Sequence, residues 1–498
     1  MNQLKVGAII SYIALFLNII IGLLYTPWMI NSIGKSEYGL YTLAMSVISL
    51  FVFDFGLGSA ITRFVSKFLA EKRQDKVDSL LGLVFKLYLL GDLFILISII
   101  VIYFLLPFLY QGLTLSEMED FKVVYLIAAL FCVISFPFIP LNGIITSYEK
   151  FIQLKLCDLA HKIIVVVLMA VCLVMGGGLY ALVIVNSVAG ILVIFLKLYV
   201  LGKDRIKAIQ WTYWEKQLLR SVLGFSIWVT IIQLAQRCIF NIAPSILAAF
   251  SDSQSITILG VAICLEGYTF SFANAINGMF LPKVSRLIAD DKRSDILDLM
   301  IRVARIQIYI VGALCVGFIC VGEHFVCIWL GSSFSEVYVC SLLLILPSFI
   351  QLPQEIGNTT VVAEGKVKIQ AFAFIGMAVV NLILAYPLTK CFGVIGLCIS
   401  IMIAYIFRTI LMDYIFYKHL KIDICCFFLN SYIKIVPILV ISTFISHTLC
   451  NLISDAGWFG FFIKVFICGS LYIISIWFFS MNKDEKYIIL SPFLKLLK

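Results

Sequence analysis

Apolar residues fill this chain in blocks too long for strands and too uniform for the one-sided helices of a soluble core. Leu93–Leu106 and Ile163–Leu173 carry no charge at all. Each extends into a stretch of roughly 20 residues, enough at about 1.5 Å per residue to cross about 30 Å of hydrocarbon. Such blocks recur near residues 6–30, 38–62, 80–107, 122–146, 157–175, 179–200, 218–249, 256–281, 299–321, 337–362, 369–388, 394–416, 433–452 and 458–480. The pattern predicts an all-α polytopic membrane protein of about fourteen transmembrane helices. The stretch 322–336, between Glu323 and Glu336, reads as an outside connector. The first block, from Val6 to Ile30, is too long for the core of a signal peptide and lacks a small-residue cleavage site, so it reads as a retained span.

Composition agrees with the pattern. The 498 residues are 62% hydrophobic and 13% charged, with mean hydropathy +1.08; soluble domains average about 45–50% apolar and about 25% charged. A net charge of +9 raises nucleic acid as a partner, but the placement of the bases argues against it. They gather in alternate connections: Lys5, then Arg63 to Lys76, Lys150 to Lys162, Lys197 to Arg220, Lys283 to Arg305, Lys366 with Lys368, Lys418 to Lys434, and a tail from Lys483. The intervening loops hold only Lys35, Lys122 and Lys390, while Lys86, Arg237, Arg408 and Lys464 lie inside spans. The positive-inside rule then places both termini in the cytoplasm and makes the number of spans even. The 15 cysteines are scattered through the spans without a CxxC or Cys/His cluster, so they read as small apolar residues.

Polar punctuation repeats along the chain. Val65-Ser66-Lys67-Phe68-Leu69-Ala70-Glu71 is echoed 219 residues later by Val284-Ser285-Arg286-Leu287-Ile288-Ala289-Asp290. Glu149 and Glu364, and Gly178-Leu179 and Gly393-Val394, recur at a spacing of 215. Six spans separate the copies, so the halves share one orientation, as in transporters whose two bundles rock about a central site. The expected lobes are 1–202 (helices 1–6) and 203–421 (helices 7–12), in parallel pseudo-two-fold repeat. Residues 422–498 add helices 13–14 and a cytoplasmic tail.

Several motifs carry a resemblance to a known family. They are Gly34-Lys35-Ser36-Glu37-Tyr38-Gly39-Leu40-Tyr41, Asp54-Phe55-Gly56-Leu57-Gly58 with Arg63, Leu281-Pro282-Lys283-Val284-Ser285, Ala363-Glu364-Gly365-Lys366, and Asn381 with Gly393 and Gly396. Over essentially its whole length the chain resembles the polysaccharide flippases, of O-antigen and capsule repeat-unit type, in the multidrug/oligosaccharidyl-lipid/polysaccharide superfamily. The resemblance implies a bacterial inner-membrane transporter that carries a polyprenyl-diphosphate-linked oligosaccharide from the cytoplasmic to the periplasmic leaflet by alternating access. Its partners would be that lipid-linked oligosaccharide, membrane lipids and other polysaccharide-assembly proteins.

Ionisable groups inside a membrane are costly, and so they mark function. Gln233, Arg237 and Asn241 recur every four residues on one face of the seventh span, which suits a cation facing a diphosphate. Glu266 lies at a matching depth in the eighth span, as a neutraliser of Arg237 or as a carboxylate coupling H+ or Na+. Asn274 and Asn277 extend that polarity, and Arg408 in the twelfth span is a further cavity candidate. Lys86 is expected to pair with Asp54 or Asp92, and Glu355 lies beside Pro353 where a helix can bend; Pro27 offers the first span the same freedom. Trp28, Trp329 and Trp458 read as interfacial belt residues, and Lys464 as a side chain that snorkels outward. Ser116 with Glu119 reads as a capping box.

A membrane polymerase or ligase is the alternative class. The outer loops are short, their one histidine is His324, and no acid/base constellation or P-loop is present. A drug exporter of the same superfamily is the third reading, against which the cation in span seven weighs. No catalytic residue, metal or cofactor is expected beyond a coupling ion.

Overall fold

The computed structural model describes residues 3–52, 54, 56–202, 216–274, 280–290, 292–453 and 457–487. In hydrocarbon a backbone has no water to bond, so these segments satisfy their N–H and C=O groups within helices. The described helices are α1 (Gln3–Ile33), α2 (Lys35–Ser49), α3 (Leu57–Ala70), α4 (Gln74–Leu109), α5 (Leu115–Ser135), α6 (Leu141–Ser147), α7 (Phe151–Val174), α8 (Leu179–Leu201), α9 (Lys216–Phe240) and α10 (Ala243–Phe250). They continue as α11 (Ser253–Asn274), α12 (Leu281–Ala289), α13 (Arg293–Leu330), α14 (Ser335–Ile345), α15 (Ser348–Gln351), α16 (Glu355–Ala363), α17 (Val367–Leu420), α18 (Ile424–Ser431), α19 (Val436–Asn451) and α20 (Gly457–Phe479). Among the described residues, 12 helical segments are long and apolar enough to cross a membrane. The chain is an all-α polytopic membrane protein. It divides into two compact units, residues 1–260 with 374–400 and residues 261–373 with 401–498.

The turn expected at Gly393 is present, while the block at 38–62 and the connector at 322–336 take a different form from the one expected. The 54-residue α17 bends at Gly393 (φ 57, ψ −137) and folds back on itself. Ser400 Oγ donates to Asn381 Oδ1 at 3.0 Å, and Lys366 Nζ at its foot donates to the His419 carbonyl at 2.8 Å; a straight helix would hold those last two about 80 Å apart. The block at 38–62 is broken between α2 and α3. Asp54 Oδ1 accepts the Gly56 N–H at 2.7 Å, and Tyr88 Oη donates to the Asp54 carbonyl at 2.8 Å. Gly56 has φ +64, and a Cβ there would lie 2.7 Å from the Ser226 carbonyl of α9; glycine alone fits. The expected connector at 322–336 is mostly helix. Nothing stops α13 before Gly331 (φ 96), so the polar pair Glu323 and His324 is carried inside it.

Proline sets two further breaks in the same way. Phe136–Phe138 is a single 3-10 turn with Pro137 at its second position, and Leu352–Gln354 is another with Pro353 at its second position. The lost N–H and the ring clash stop an α-helix at both places, which lie 216 residues apart. Just beyond each, the chain turns through a positive φ, 56° at Glu149 and 72° at Gly365. The next lysine then reaches the last turn of a helix: Lys150 Nζ donates to the Val200 carbonyl at 2.7 Å, as Lys366 does to that of His419.

In the first unit Glu117 ties four segments together. Its Oε2 accepts the Thr114 N–H and hydroxyl, each at 2.9 Å, and its Oε1 accepts Ser36 Oγ and Ser253 Oγ, each at 2.5 Å. Thr257 Oγ1 donates to the Lys35 carbonyl at 2.5 Å alongside. The capping box is therefore Thr114 with Glu117, not Ser116 with Glu119, because α5 starts at Leu115 and the third helical position falls on Glu117.

In the second unit α13 is the spine. Its Arg305 is buried at 4% exposure. It donates from Nε to Glu485 Oε1 at 2.5 Å, from Nη1 to the Asn430 carbonyl at 3.1 Å, and from Nη2 to Tyr309 Oη and the Ser480 carbonyl, each at 2.8 Å. One guanidinium thus fastens the helix end at Asn430 and the chain beyond α20 to α13. Two surface expectations fail here. Trp329 is buried, stacked on Phe325 at 5.2 Å, so only Trp28 and Trp458 are exposed enough to serve as belt residues. Lys464 is 6% exposed, held within α20 and its neighbours instead of snorkelling.

Removing one partner of a buried pair strands the other charge, which costs about 3–5 kcal/mol. Glu485→Ala should therefore lower the melting temperature of the detergent-solubilised protein clearly, with Glu485→Gln intermediate. Burial raises the Glu485 carboxyl, but the Arg305 hydrogen bond and the Asn482 N–H outweigh it and leave the group below its ordinary 4.5. A depressed carboxylate stabilises the fold above its unfolded pKa and loses that contribution as pH falls. The melting difference between wild type and Glu485→Ala should accordingly be full near neutrality and shrink below about pH 4.5.

Candidate functional site

The break between α2 and α3 creates a polar place inside the first unit. α2 ends at Ser49, and the last carbonyls of a helix have no partner within it and carry its negative pole. Span seven supplies the partners. Arg237 Nη1 donates to the Ser49 carbonyl, and Asn241 Nδ2 donates to Ser49 Oγ. Gln233, half-buried, lies one turn earlier on the same face of α9. Gln233, Arg237 and Asn241 therefore share a face as expected, and two of them converge on one residue.

Asp54 lies on the other side of the break. Its carboxylate accepts the Gly56 N–H in an Asx turn just before α3, and it also lies close enough to Arg237 to interact with it electrostatically. Lys86 is half-buried on α4, two residues before Tyr88, the side chain that grips the Asp54 backbone. Asp92 is half-buried one and a half turns further on, and its Oδ1 has no hydrogen-bond partner among the described residues.

The second unit holds a separate polar group. Glu266 on α11 and Arg408 on α17 are both buried. Glu355 opens α16 directly after the Pro353 break and accepts Asn358 Nδ2 at 2.9 Å. Tyr405, one turn before Arg408, is close enough to interact electrostatically with both Arg408 and Glu266, and Arg408 with Glu355. Gln354 neighbours Asp413. The structure thus brings Glu266, Glu355 and Arg408 into one neighbourhood and adds Tyr405, Gln354, Asn358 and Asp413. The side chain of Asn274, the last residue of α11, and the whole of Asn277 lie outside the described residues.

Sequence reasoning missed Ser49 and Asp413. Nothing in a serine marks it as the end of a broken helix. Asp413 had a signal, since it falls in the apolar block 394–416 and qualifies by the same rule that selected Arg408. Among the described residues no three His, Cys, Asp or Glu side chains gather closely enough to hold a metal ion. The arrangement offers a cation at a helix break in one unit, and in the other a buried guanidinium that interacts with Tyr405 and Glu355, with Glu266 close to Tyr405.

Solved structures place this architecture in a class. The chain shares its fold with "Lipid II flippase MurJ, inward closed conformation", at TM-score 0.69 and 17% identity over 98% of this chain and 100% of that one. It also shares it with an inward-facing multidrug resistance MATE family transporter of the MOP superfamily, at TM-score 0.67 and 12% identity over 81% and 96%. A MOP superfamily transporter from Pyrococcus furiosus matches at TM-score 0.60 and 12% identity over 82% and 93%. The protein is thus a multi-pass helical membrane protein that shares its fold with these solved structures. More narrowly, residues 4–288, over half of the chain, match the polysaccharide biosynthesis protein family, and the chain belongs to that family. Comparison with curated proteins finds no match.

The role assigned to Asp54 is testable. Asp54→Asn keeps an acceptor for the Gly56 N–H and should leave stability close to wild type. Asp54→Ala removes that acceptor and should cost about 1–3 kcal/mol, read as a lower melting temperature in detergent. Equal loss in both variants would assign the effect to the charge instead.

Proposed function

We propose that this protein is a flippase that moves polyprenyl-diphosphate-linked oligosaccharide repeat units from the cytoplasmic to the periplasmic leaflet, for surface polysaccharide assembly. It works by alternating access and without bond-making chemistry. Arg237 carries this reading: a guanidinium held within a span, at the broken end of a neighbouring helix, in a chain of the polysaccharide biosynthesis family. Hydrocarbon does not tolerate such a charge without an anionic or strongly polar counterpart; Asp54 is one such neighbour, and a diphosphate is a further anion that the cargo brings. Gln233 and Asn241 extend the same polar face. Glu266 and Arg408 form a second candidate group within the other unit, while Asp54, Lys86, Asp92 and Glu355 act as structural or coupling charges.

The topology we infer has fourteen spans. The twelve long segments supply twelve, the fold-back of α17 makes one of them two, and α2 with α3 forms the remaining broken span. Both termini then face the cytoplasm of a bacterial inner membrane. The matched proline turns, the matched lysine contacts and the motif spacing support lobes at 1–202 and 203–421, with 422–498 added. H+ or Na+ coupling through the Glu266 and Glu355 carboxyls fits their burial, and other polysaccharide-assembly proteins are the expected partners. Family membership and the Arg237 cation favour an anionic glycolipid over a cationic drug.

Deleting the gene should cause lipid-linked oligosaccharide to accumulate on the cytoplasmic face. Wild type should clear it, Arg237→Lys should clear part of it, and Arg237→Ala should fail at normal protein levels. Full rescue by Arg237→Ala would remove Arg237 from cargo binding, and no accumulation after deletion would contradict the flippase assignment.

A further inference from the structure

Lys162 was counted with the loop bases in the sequence, yet α7 starts at Phe151. The ammonium is therefore carried by a residue about 17 Å along the helix axis, near the middle of a span. Its surroundings form a charged cluster. Lys155, Asp158 and Lys162 follow one another at spacings of three and four residues, so they share a stripe. Asp158 Oδ1 lies 3.4 Å from Lys197 Nζ of α8, and its Oδ2 lies 3.9 Å from Lys155 Nζ. His161 adjoins them. Lys162 itself has no ion pair or hydrogen bond among the described residues.

The orientation of this stripe is legible from exposure. The outer face of α7 is marked by Leu156, Ile163, Val167 and Val171, all of them exposed apolar residues. Lys162 and Asp158 lie on the opposite side, in register with Met169, which is 2% exposed and accepts the Tyr25 hydroxyl of α1 at 2.8 Å. Lys155 and Asp158 are partly exposed near the helix end while Lys197 is more buried, and three ammonium groups around one carboxylate need water or an anion to balance them.

We propose that Lys155, Lys197 and Lys162, arranged about Asp158, form a stepped anion site that receives the phosphate groups of a lipid headgroup entering from the Phe151 end of α7. Asp158 fixes the first two lysines near the helix end, and Lys162 is the deeper contact. This rests on the flippase reading and its topology, which put that end at the cytoplasmic surface and make a diphosphate the cargo headgroup. The shared chemistry is a phosphate anion, from a prenyl diphosphate, an ordinary anionic phospholipid or free pyrophosphate.

The test is binding of a fluorescent polyprenyl diphosphate to the full chain in phosphatidylcholine nanodiscs. Lys162→Met keeps length and helix propensity and should weaken binding by about tenfold or more, the scale of one charge-assisted hydrogen bond. Lys162→Arg should stay within about threefold of wild type. Competition by inorganic pyrophosphate supports the site as a reader of the phosphates alone, and lack of competition supports one that needs the lipid-borne headgroup. Equal competition by phosphatidylglycerol overturns it as a cargo site. Unchanged affinity in Lys162→Met with weakened affinity in Arg237→Ala overturns the lysine site alone. No binding by wild type overturns the flippase reading, and the lysine site with it.

Discussion

A backbone group in hydrocarbon must find its partner within the protein, and the helix breaks described above are supported on that account. Between α2 and α3 the chain leaves the helix for several residues. The polar groups this exposes are met by Asp54, Tyr88, Arg237 and Asn241. At Pro137 and Pro353 a single 3-10 turn replaces α-helix, so the ladder tightens instead of opening. Gly393 permits α17 to double back, and a buried Ser400–Asn381 contact ties the two limbs together. A break that carries its own hydrogen-bonding kit can persist in a membrane, and such places are where transporters bind polar cargo.

The same economy governs charge. Arg305 is buried but fully engaged, with a carboxylate, two carbonyls and a hydroxyl around it, and its effect is to fix the end of the chain to α13. Arg237 is engaged differently, through the Ser49 carbonyl at the negative end of a broken helix, with Asp54 close enough to interact with it electrostatically. Glu266, Glu355 and Asp413 share a neighbourhood with one arginine. Buried ions of one net sign are expensive unless a proton, an ion or a cargo balances them.

Much of the architecture was legible from apolar block length alone, because hydrocarbon thickness fixes how much apolar helix is needed. The break at Asp54-Phe55-Gly56 was not, since hydropathy averages across it; only the glycines and the aspartate hinted at it. The extension of α13 to Leu330 was hidden by Glu323 and His324, whose polarity mimics a loop although no residue there stops a helix. Lys162 was misplaced for the opposite reason: it lies near other bases in sequence, yet the helix begins eleven residues before it. The face shared by Gln233, Arg237 and Asn241 followed from a period of four. The meeting of Arg237 and Asn241 at Ser49 depends on a fold that brings residues nearly two hundred positions apart together, which no local pattern encodes.

The central claim is that this chain alone moves a diphosphate-linked oligosaccharide lipid across a bilayer. The direct measurement is to reconstitute the purified protein in liposomes loaded with such a lipid on one leaflet and follow its exposure to a sugar-cleaving enzyme added outside. The account predicts protein-dependent transfer between leaflets, far faster than in empty liposomes and strongly reduced by Arg237→Ala. Transfer no faster than in empty liposomes, under an ion gradient of either sign, would contradict it.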